Sequence, residues 1–403
     1  MRRSLIGIGL LLWAGASYAA TVALSASPGN ATASLTWTVS NGSINAQEVY
    51  RDTDSTLAGR VRVATLSTTA RTFSATGLAN GTTYFFWIRA RQTDNVWVNS
   101  NAASVTPAAA GGGGAPKHWA LTGNLGTHDP TIINENGTWW EFQTGPGIFG
   151  KVSRNGGTNW APLPSVLGSK LSWWSTYVPG QSGTDVWAPD IEAFNGRVWM
   201  YYSISTFGSR VSAIGLLSAT SVAAGGWRDD GLVIATNNSS NYNAIDPDLV
   251  IDASGAPWLS FGSWNSGIKL TRLGANMKPT GSLFSIASRG GGIEAPSIVH
   301  RNGFYYLFVS TGLCCRGVNS TYNIRYGRSA SITGPYVDKA GVNMMSGGGS
   351  ILDAGNARWI GPGGQDIEGT GAIVRHAYDA QDNGNAKMLI SDLRWDSAGW
   401  PMY

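Results

Sequence analysis

One phrase recurs along the chain and restricts what it can fold into. An acid beside a proline leads into a short apolar run, a tight turn and an aromatic strand. The phrase stands at 126–145 (GTHDPTIINENGTWWEFQTG), 187–203 (WAPDIEAFNGRVWMYYS), 244–263 (AIDPDLVIDASGAPWLSFGS) and 293–310 (IEAPSIVHRNGFYYLFVS). A looser copy follows at 368–393 (EGTGAIVRHAYDAQDNGNAKMLISDL). From Asp129 the acids recur at Asp190, Asp246 and Glu294, in steps of 61, 56 and 48 residues. Paired strands repeated at ~40–50 residues or a little more are the signature of a β-propeller. One such unit cannot bury both faces of its sheet, so several must close into a ring. The first strand of each unit then lines a central channel, and acids at equivalent strand ends converge on the axis. The competing all-β arrangement is a large two-sheet sandwich.

The repeats occupy only the C-terminal part of a chain of 403 residues, whose length suggests two domains. Residues 1–19 carry Arg2-Arg3, an apolar stretch and small residues at Ser17 and Ala19, the pattern of a secretory signal. They are too short for a convincing membrane span, and no later stretch is long enough for one. Residues 20–107 are a separate module of short alternating strands, with Trp37 on a buried face. Its segment Leu78–Trp87 (LANGTTYFFW) has the glycine-to-tyrosine spacing of a tyrosine corner, and so resembles a fibronectin type III β-sandwich. Residues 108–116 (AAAGGGGAP) read as a flexible linker. From 117 to 403 the length suits five repeats. Charged residues are 13% of the chain against ~25% in an average one, and there is no Lys/Arg run. A nucleic-acid or anionic-membrane partner is therefore not expected.

Asp129 follows His128 and precedes Pro130, whose fixed φ holds the carboxylate at a strand start. Glu294 follows a glycine-rich loop and precedes Ala295-Pro296. Glycosidic cleavage needs one carboxylic acid to protonate the leaving oxygen and one carboxylate to activate water. A lone Asp-Pro would more simply cap a loop. Acids repeated at the period of the fold are harder to explain so, because clustered like charges are costly unless function requires them. Spacing alone leaves Asp190, Asp246 and Asp248 open as the third carboxylate. Cys314 and Cys315 are adjacent and cannot staple distant segments; a bond between them closes a small ring, and they read as a local feature of one loop.

Residues 117–403 resemble the arabinanases of glycoside hydrolase family 43 through THDPTI, WAPDI, FGSRVSAIGL, NAIDPDLV, FGSWNSGIKL, GGIEAPSI, CCRGVNSTYNIRYGRS, HAYD and the terminal GWPMY. The resemblance implies an all-β fold, a five-bladed β-propeller behind the fibronectin III-like sandwich. It also implies a secreted, monomeric, inverting enzyme that cleaves internal α-1,5-linked arabinofuranose bonds of arabinan. Asp129 becomes the general base, Glu294 the general acid, and Asp246 the carboxylate that tunes and orients the acid. Asn243, Ala244, Ile245, Ser263, Trp264 and Asn265 match segments that meet the sugar. Trp187 and Trp264 are candidate stacking platforms, and Asp190 a support residue at the channel. His376 of HAYD becomes the protein ligand of an axial calcium ion, although Arg375 stands before it where an apolar residue is expected. His128 is expected to position the base, and His118 and His300 have no expected role. The alternatives are an exo-acting arabinofuranosidase or β-xylosidase of the same fold, or a non-catalytic sugar-binding propeller.

Overall fold

The computed structural model describes residues 19–29, 31–107, 117–369 and 371–403. The expected leader (except Ala19) and the glycine linker lie outside the described residues. The chain divides into two compact units, between Ala109 and Ala110. Strands dominate both, and the one α-helix among the described residues is Trp174–Tyr177. Among the described residues no helix is long and apolar enough to cross a membrane.

The first unit packs two antiparallel sheets face to face. One joins Thr21–Gly29, Thr32–Ser40 and Thr72–Ala75; the other orders Val61–Leu66, Ile44–Asp52, Tyr84–Gln92 and Trp97–Asn99, with Ala103–Val105 also on Tyr84–Gln92. Alternation along each strand sends Leu24, Leu35, Trp37, Val49, Phe86 and Ile88 into one shared core. The Tyr84 hydroxyl accepts the backbone N–H of Ala79 at 3.1 Å, pinning the turn before its strand.

The second unit is built around five sheets of mainly antiparallel strands, with Gly145–Pro146 crossing from the first to the edge of the second and a short pair, Arg394–Trp395 with Pro401–Met402, beside them. The first full strands of the five sheets are Thr131–Glu135, Asp185–Phe194, Asp248–Ile251, Ile293–Arg301 and Trp359–Glu368. Each neighbouring pair of sheets encloses its own apolar core. Phe142 and Met200 meet between the first and second sheets, and Tyr201 and Phe261 between the second and third. Ile268 and Leu307 meet between the third and fourth, and Phe308 and Ile373 between the fourth and fifth. Ile132, Trp160, Val374 and Ile390 share the last core, between the fifth sheet and the first, so the series returns on itself.

A single segment fastens that closure. The Trp119 N–H reaches the Ile390 carbonyl at 2.8 Å and the Met388 N–H the Leu125 carbonyl at 2.8 Å, which extends the three-stranded fifth sheet. Between them Thr122–Gly123 pairs in parallel with Asn159–Leu163 of the first sheet. Arg375, fully buried, supports the same seam. Its guanidinium donates to Asp353 at 2.9 Å, to Ser391 at 3.2 Å and to His118 at 3.3 Å, over the Tyr403 ring. The arginine thus replaces the expected apolar packing with a neutralised polar cluster, and His118 has a structural partner that its sequence position did not suggest.

Candidate active site

The first strands carry a more exact repeat than their acids do. A residue with left-handed backbone stands at Asp129 (φ 48°), Ala188 (39°), Asp246 (55°), Ala295 (49°) and Gly364 (55°), in steps of 59, 58, 49 and 69 residues. The next residue is Pro130, Pro189, Pro247, Pro296 or Gln365. Each of these turns is held by the preceding sheet. The backbone N–H of Ala188 donates to Thr144 Oγ1, that of Asp246 to Ser203 Oγ and that of Gly364 to Ser310 Oγ, all at 2.9 Å. The Ala295 N–H donates to Asp246 Oδ2 at 3.1 Å, and the Asp129 N–H to His376 Nδ1 at 3.1 Å. His376 therefore occupies, in the fifth sheet, the place that a hydroxyl holds in three others. All five left-handed residues line one narrow cavity.

Two residues further on lies a second tier: Thr131, Asp190, Asp248, Ser297 and Asp366. Thr131 Oγ1 accepts the Ile191 N–H at 3.2 Å and Asp190 the Leu249 N–H at 2.7 Å. Asp248 accepts the Ile298 N–H at 3.1 Å, and Asp366 the Ile132 N–H at 3.0 Å. These are staples from sheet to sheet, and the last spans the seam. Carboxylate oxygens of Asp190, Asp248 and Asp366 lie within 4.8 Å of one another. Burial first, then mutual repulsion, holds Asp190 protonated far above its usual range. Burial likewise pushes Asp248 up to about 8 and Asp366 to about 6.

The second tier corrects one expectation. Asp190 is not the equivalent of Asp129: Ala188 is, and Asp190 matches Asp248 one tier deeper. It is 4% exposed and bonded to backbone in the depth of the same cavity, where it supports the ring as expected. Glu294 is also displaced, standing one residue before the left-handed Ala295. A bulge between Glu294 and Ser297 sets it out of phase with the carboxylates of the other turns.

The structure does bring Asp129, Asp246 and Glu294 together, and it distinguishes them. Burial raises the Asp129 carboxyl, but His128 at 2.8 Å and the Thr144 hydroxyl at 2.8 Å outweigh it and hold the group well below the carboxylate range. Burial raises Asp246, and the charges of Glu294 and Asp129 raise it further. Glu294 is raised by burial and Asp129, against hydrogen bonds from Tyr322 and from Ser263 at 2.7 Å. The Asp246–Glu294 pair thus holds a proton that Asp129 does not.

A chain of contacts fixes the histidine beside Asp129. The Cys315 N–H donates to the Tyr378 hydroxyl at 2.7 Å, and that hydroxyl lies 3.0 Å from His128 Nε2. In the neutral imidazole the Tyr378 O–H donates to Nε2, which leaves the ring N–H on Nδ1, facing Asp129 Oδ2. Cys314 and Cys315 are joined as a disulfide. Their loop is not merely local, since it holds Tyr378, a residue that carried no signal in the sequence beyond the HAYD motif. His376 stacks on His128 at 3.9 Å between ring centroids. Burial, then His128, lowers its pKa to about 3, so it is neutral, and its Nε2 is buried without a hydrogen-bond partner.

The remaining predicted contacts separate by exposure. Trp264, at 42% exposed and φ 52°, lies over Gly292 next to Asn265 and hydrogen-bonds Glu294. Ser263 is buried on Glu294, and Trp187 is half-buried opposite Ser203. Asn243 is buried, with its Oδ1 lacking a partner. Ala244 is a correction, because its methyl is fully buried in the core between the second and third sheets and offers no side-chain surface. Ile245 is 7% exposed and accepts the Gly262 N–H through its carbonyl.

Residues 122–401 match the family model of glycosyl hydrolases family 43. The chain is 55% identical over 293 residues to the extracellular endo-alpha-(1->5)-L-arabinanase 1 of Bacillus subtilis, covering 71% of this chain and 90% of the relative. It is 39% identical to the extracellular exo-alpha-(1->5)-L-arabinofuranosidase ArbA of Cellvibrio japonicus, over 68% and 85%. Among solved structures it superposes on the GH43 endo-arabinanase from Bacillus licheniformis, with TM-score 0.69 and 58% identity, over 71% of this chain and all of that one. The Cellvibrio cellulosa α-L-arabinanase complexed with arabinohexaose aligns at TM-score 0.66 and 38% identity, over 69% and 95%. A ring of five sheets, three converging carboxylates and these matches across one continuous segment lead to one conclusion: the chain belongs to glycoside hydrolase family 43.

Proposed function

We propose that the protein is a secreted, monomeric endo-1,5-α-L-arabinanase, a five-bladed β-propeller with a fibronectin III-like module before it. The observation that carries this is the division of protons at the mouth: an ionised Asp129 faces an Asp246–Glu294 pair that retains one. Asp129 takes the proton of the attacking water, and Glu294 gives its proton to the departing glycosidic oxygen. Asp246 shares that proton with Glu294 and fixes the Ala295 turn beside it. Water attacks opposite the leaving group, so the anomeric configuration inverts. Trp264 offers an indole to the apolar face of a furanose. The endo reading is supported by the 55%-identical relative, and the first module's reading by its two sheets and the Tyr84 corner.

Calcium at His376 agrees with one feature of the site, a neutral imidazole whose Nε2 is buried without a partner. Ligation there would place the ring proton on Nδ1, 3.5 Å from Asp129 Oδ1, in exchange for the contact with the Asp129 N–H. A divalent cation supplies positive charge that favours an ionised base. His376 orients that base either way, through Nδ1.

Digestion of linear arabinan tests the reading. Short oligomers of inverted anomeric configuration are expected first, read by chromatography and proton NMR. Monomer alone would favour the exo alternative, and no cleavage would leave a sugar-binding propeller.

A further inference from the structure

The first unit carries a feature that catalysis does not use. Residues 20–107 contain six arginines, no lysine and four acids. Among the described residues of this unit the one ion pair is Arg62 with Glu48, at 2.6 Å. Strand alternation places most of the arginines together. Phe86, Ile88 and Ala90 face the core, so Trp87, Arg89 and Arg91 share the outer face of the sheet. Tyr50 stands across from Trp87 on one side and Arg62 on the other, and Trp97 lies across from Arg91.

The guanidinium groups on this face are held against rings. Arg60 lies 4.5 Å from the Tyr50 centroid, with one Nη on Asn99 at 2.8 Å and the other buried without a partner. Arg89 and Arg91 lie 4.4 and 5.7 Å from the Trp97 centroid. Stacking fixes the plane of a guanidinium and leaves donors at its edge, an arrangement that suits a carboxylate. Trp87 is covered, at 2% exposed, and the half-buried rings of Tyr50 and Trp97 are the ones that suit the apolar parts of a sugar.

We propose that this face binds a carboxylate-bearing polysaccharide, a polyuronate chain laid along the arginine–aromatic row. Arabinan is neutral and has nothing for three guanidinium groups without a carboxylate, so this ligand differs in class from the chain that the second unit cleaves. The inference does not depend on the roles given to Asp129, Asp246 and Glu294.

Affinity electrophoresis of the full chain through gels containing polygalacturonate tests it. Retardation is expected with that polymer and not with its fully methyl-esterified form or with linear arabinan. It should weaken several-fold between low and physiological salt, where screening of exposed charge sets in. Arg89→Ala with Arg91→Ala should weaken binding about tenfold, with near-ultraviolet circular dichroism and activity on soluble arabino-oligosaccharides unchanged. Arg89→Lys with Arg91→Lys keeps the charge but loses the fork, and should fall between the two. Equal retardation by the esterified polymer, no salt response, wild-type binding by the Ala variant, or tighter retention by single-stranded DNA would each overturn the proposal.

Discussion

At the scale of single residues, the chemistry rests on what surrounds each carboxylate. Asp129→Ala and Glu294→Ala should each lower hydrolysis of linear arabinan by at least ~10²-fold with the fold intact. Near wild-type turnover in either would remove its assigned role. His128 acts through Asp129, and its signature lies in the pH profile. The imidazole stabilises the ionised carboxylate, so His128→Ala raises the Asp129 pKa and moves the acid limb of kcat/KM to higher pH. Tyr378→Phe should move it the same way by less, because it frees the His128 tautomer without removing the ring. An unmoved acid limb in both would reduce the pair to packing. Asp246 and Glu294 repel one another when both are ionised, so Asp246→Asn removes that repulsion, lowers the Glu294 pKa and shifts the basic limb to lower pH; a fixed basic limb would show that Asp246 acts otherwise.

At the scale of elements, the left-handed turn at each first strand is the unit that aims the site. Four of the five are not glycine and carry the cost of that backbone, held down by hydrogen bonds from the preceding sheet. The fifth must be glycine. A Cβ at Gly364 would overlap the Asp129 carboxylate and come within 3.0 Å of His376 Nδ1. Gly364→Ala should therefore displace the base and cost ~10²-fold in kcat, a loss typical of misplacement by about an ångström. A crystal structure of that variant with Asp129 unmoved would refute the explanation. The second tier makes a different prediction. Asp248, raised by burial to about 8, contributes stability that is present below its unfolded pKa and fades as pH rises through 8. Asp248→Asn keeps the acceptor for Ile298 and Ser260 but cannot ionise, so its melting temperature should exceed wild type above pH 8. Parallel melting curves from pH 5 to 9 would mean that Asp248 does not titrate there.

At the scale of the whole molecule, the ring is closed by chain that lies just before the first repeat. Removing residues 20–107 should leave activity on soluble oligosaccharides within a few-fold, since the 117–403 unit has its own cores. Extending the deletion through Gly126 takes away the contacts of Trp119, Thr122 and Leu125 with the fifth and first sheets. That variant should lose several degrees of melting temperature, in line with a few hydrogen bonds and the buried Trp119 contact. Equal melting temperatures for the two deletions would show that the seam holds without this segment.

The sequence by itself determined the strand content, the two-part division, the family and, only through the resemblance to that family, the choice of Asp246 to join Asp129 and Glu294. All of these are written locally, in turn residues, in alternation and in motifs a few residues long. The tertiary structure alone decided which acids are equivalent. Asp129 and Asp190 look alike in sequence, yet a difference of two residues in backbone phase puts one at the mouth and the other among buried protonated acids. Nor could local sequence foretell that Arg375 meets His118 across 257 residues, or that the Cys314–Cys315 loop reaches His128 through Tyr378. Those partners come from segments far apart in the chain, and only closure of the ring brings them together, because a side chain's type is set locally but its neighbours are set by how the sheets return on themselves.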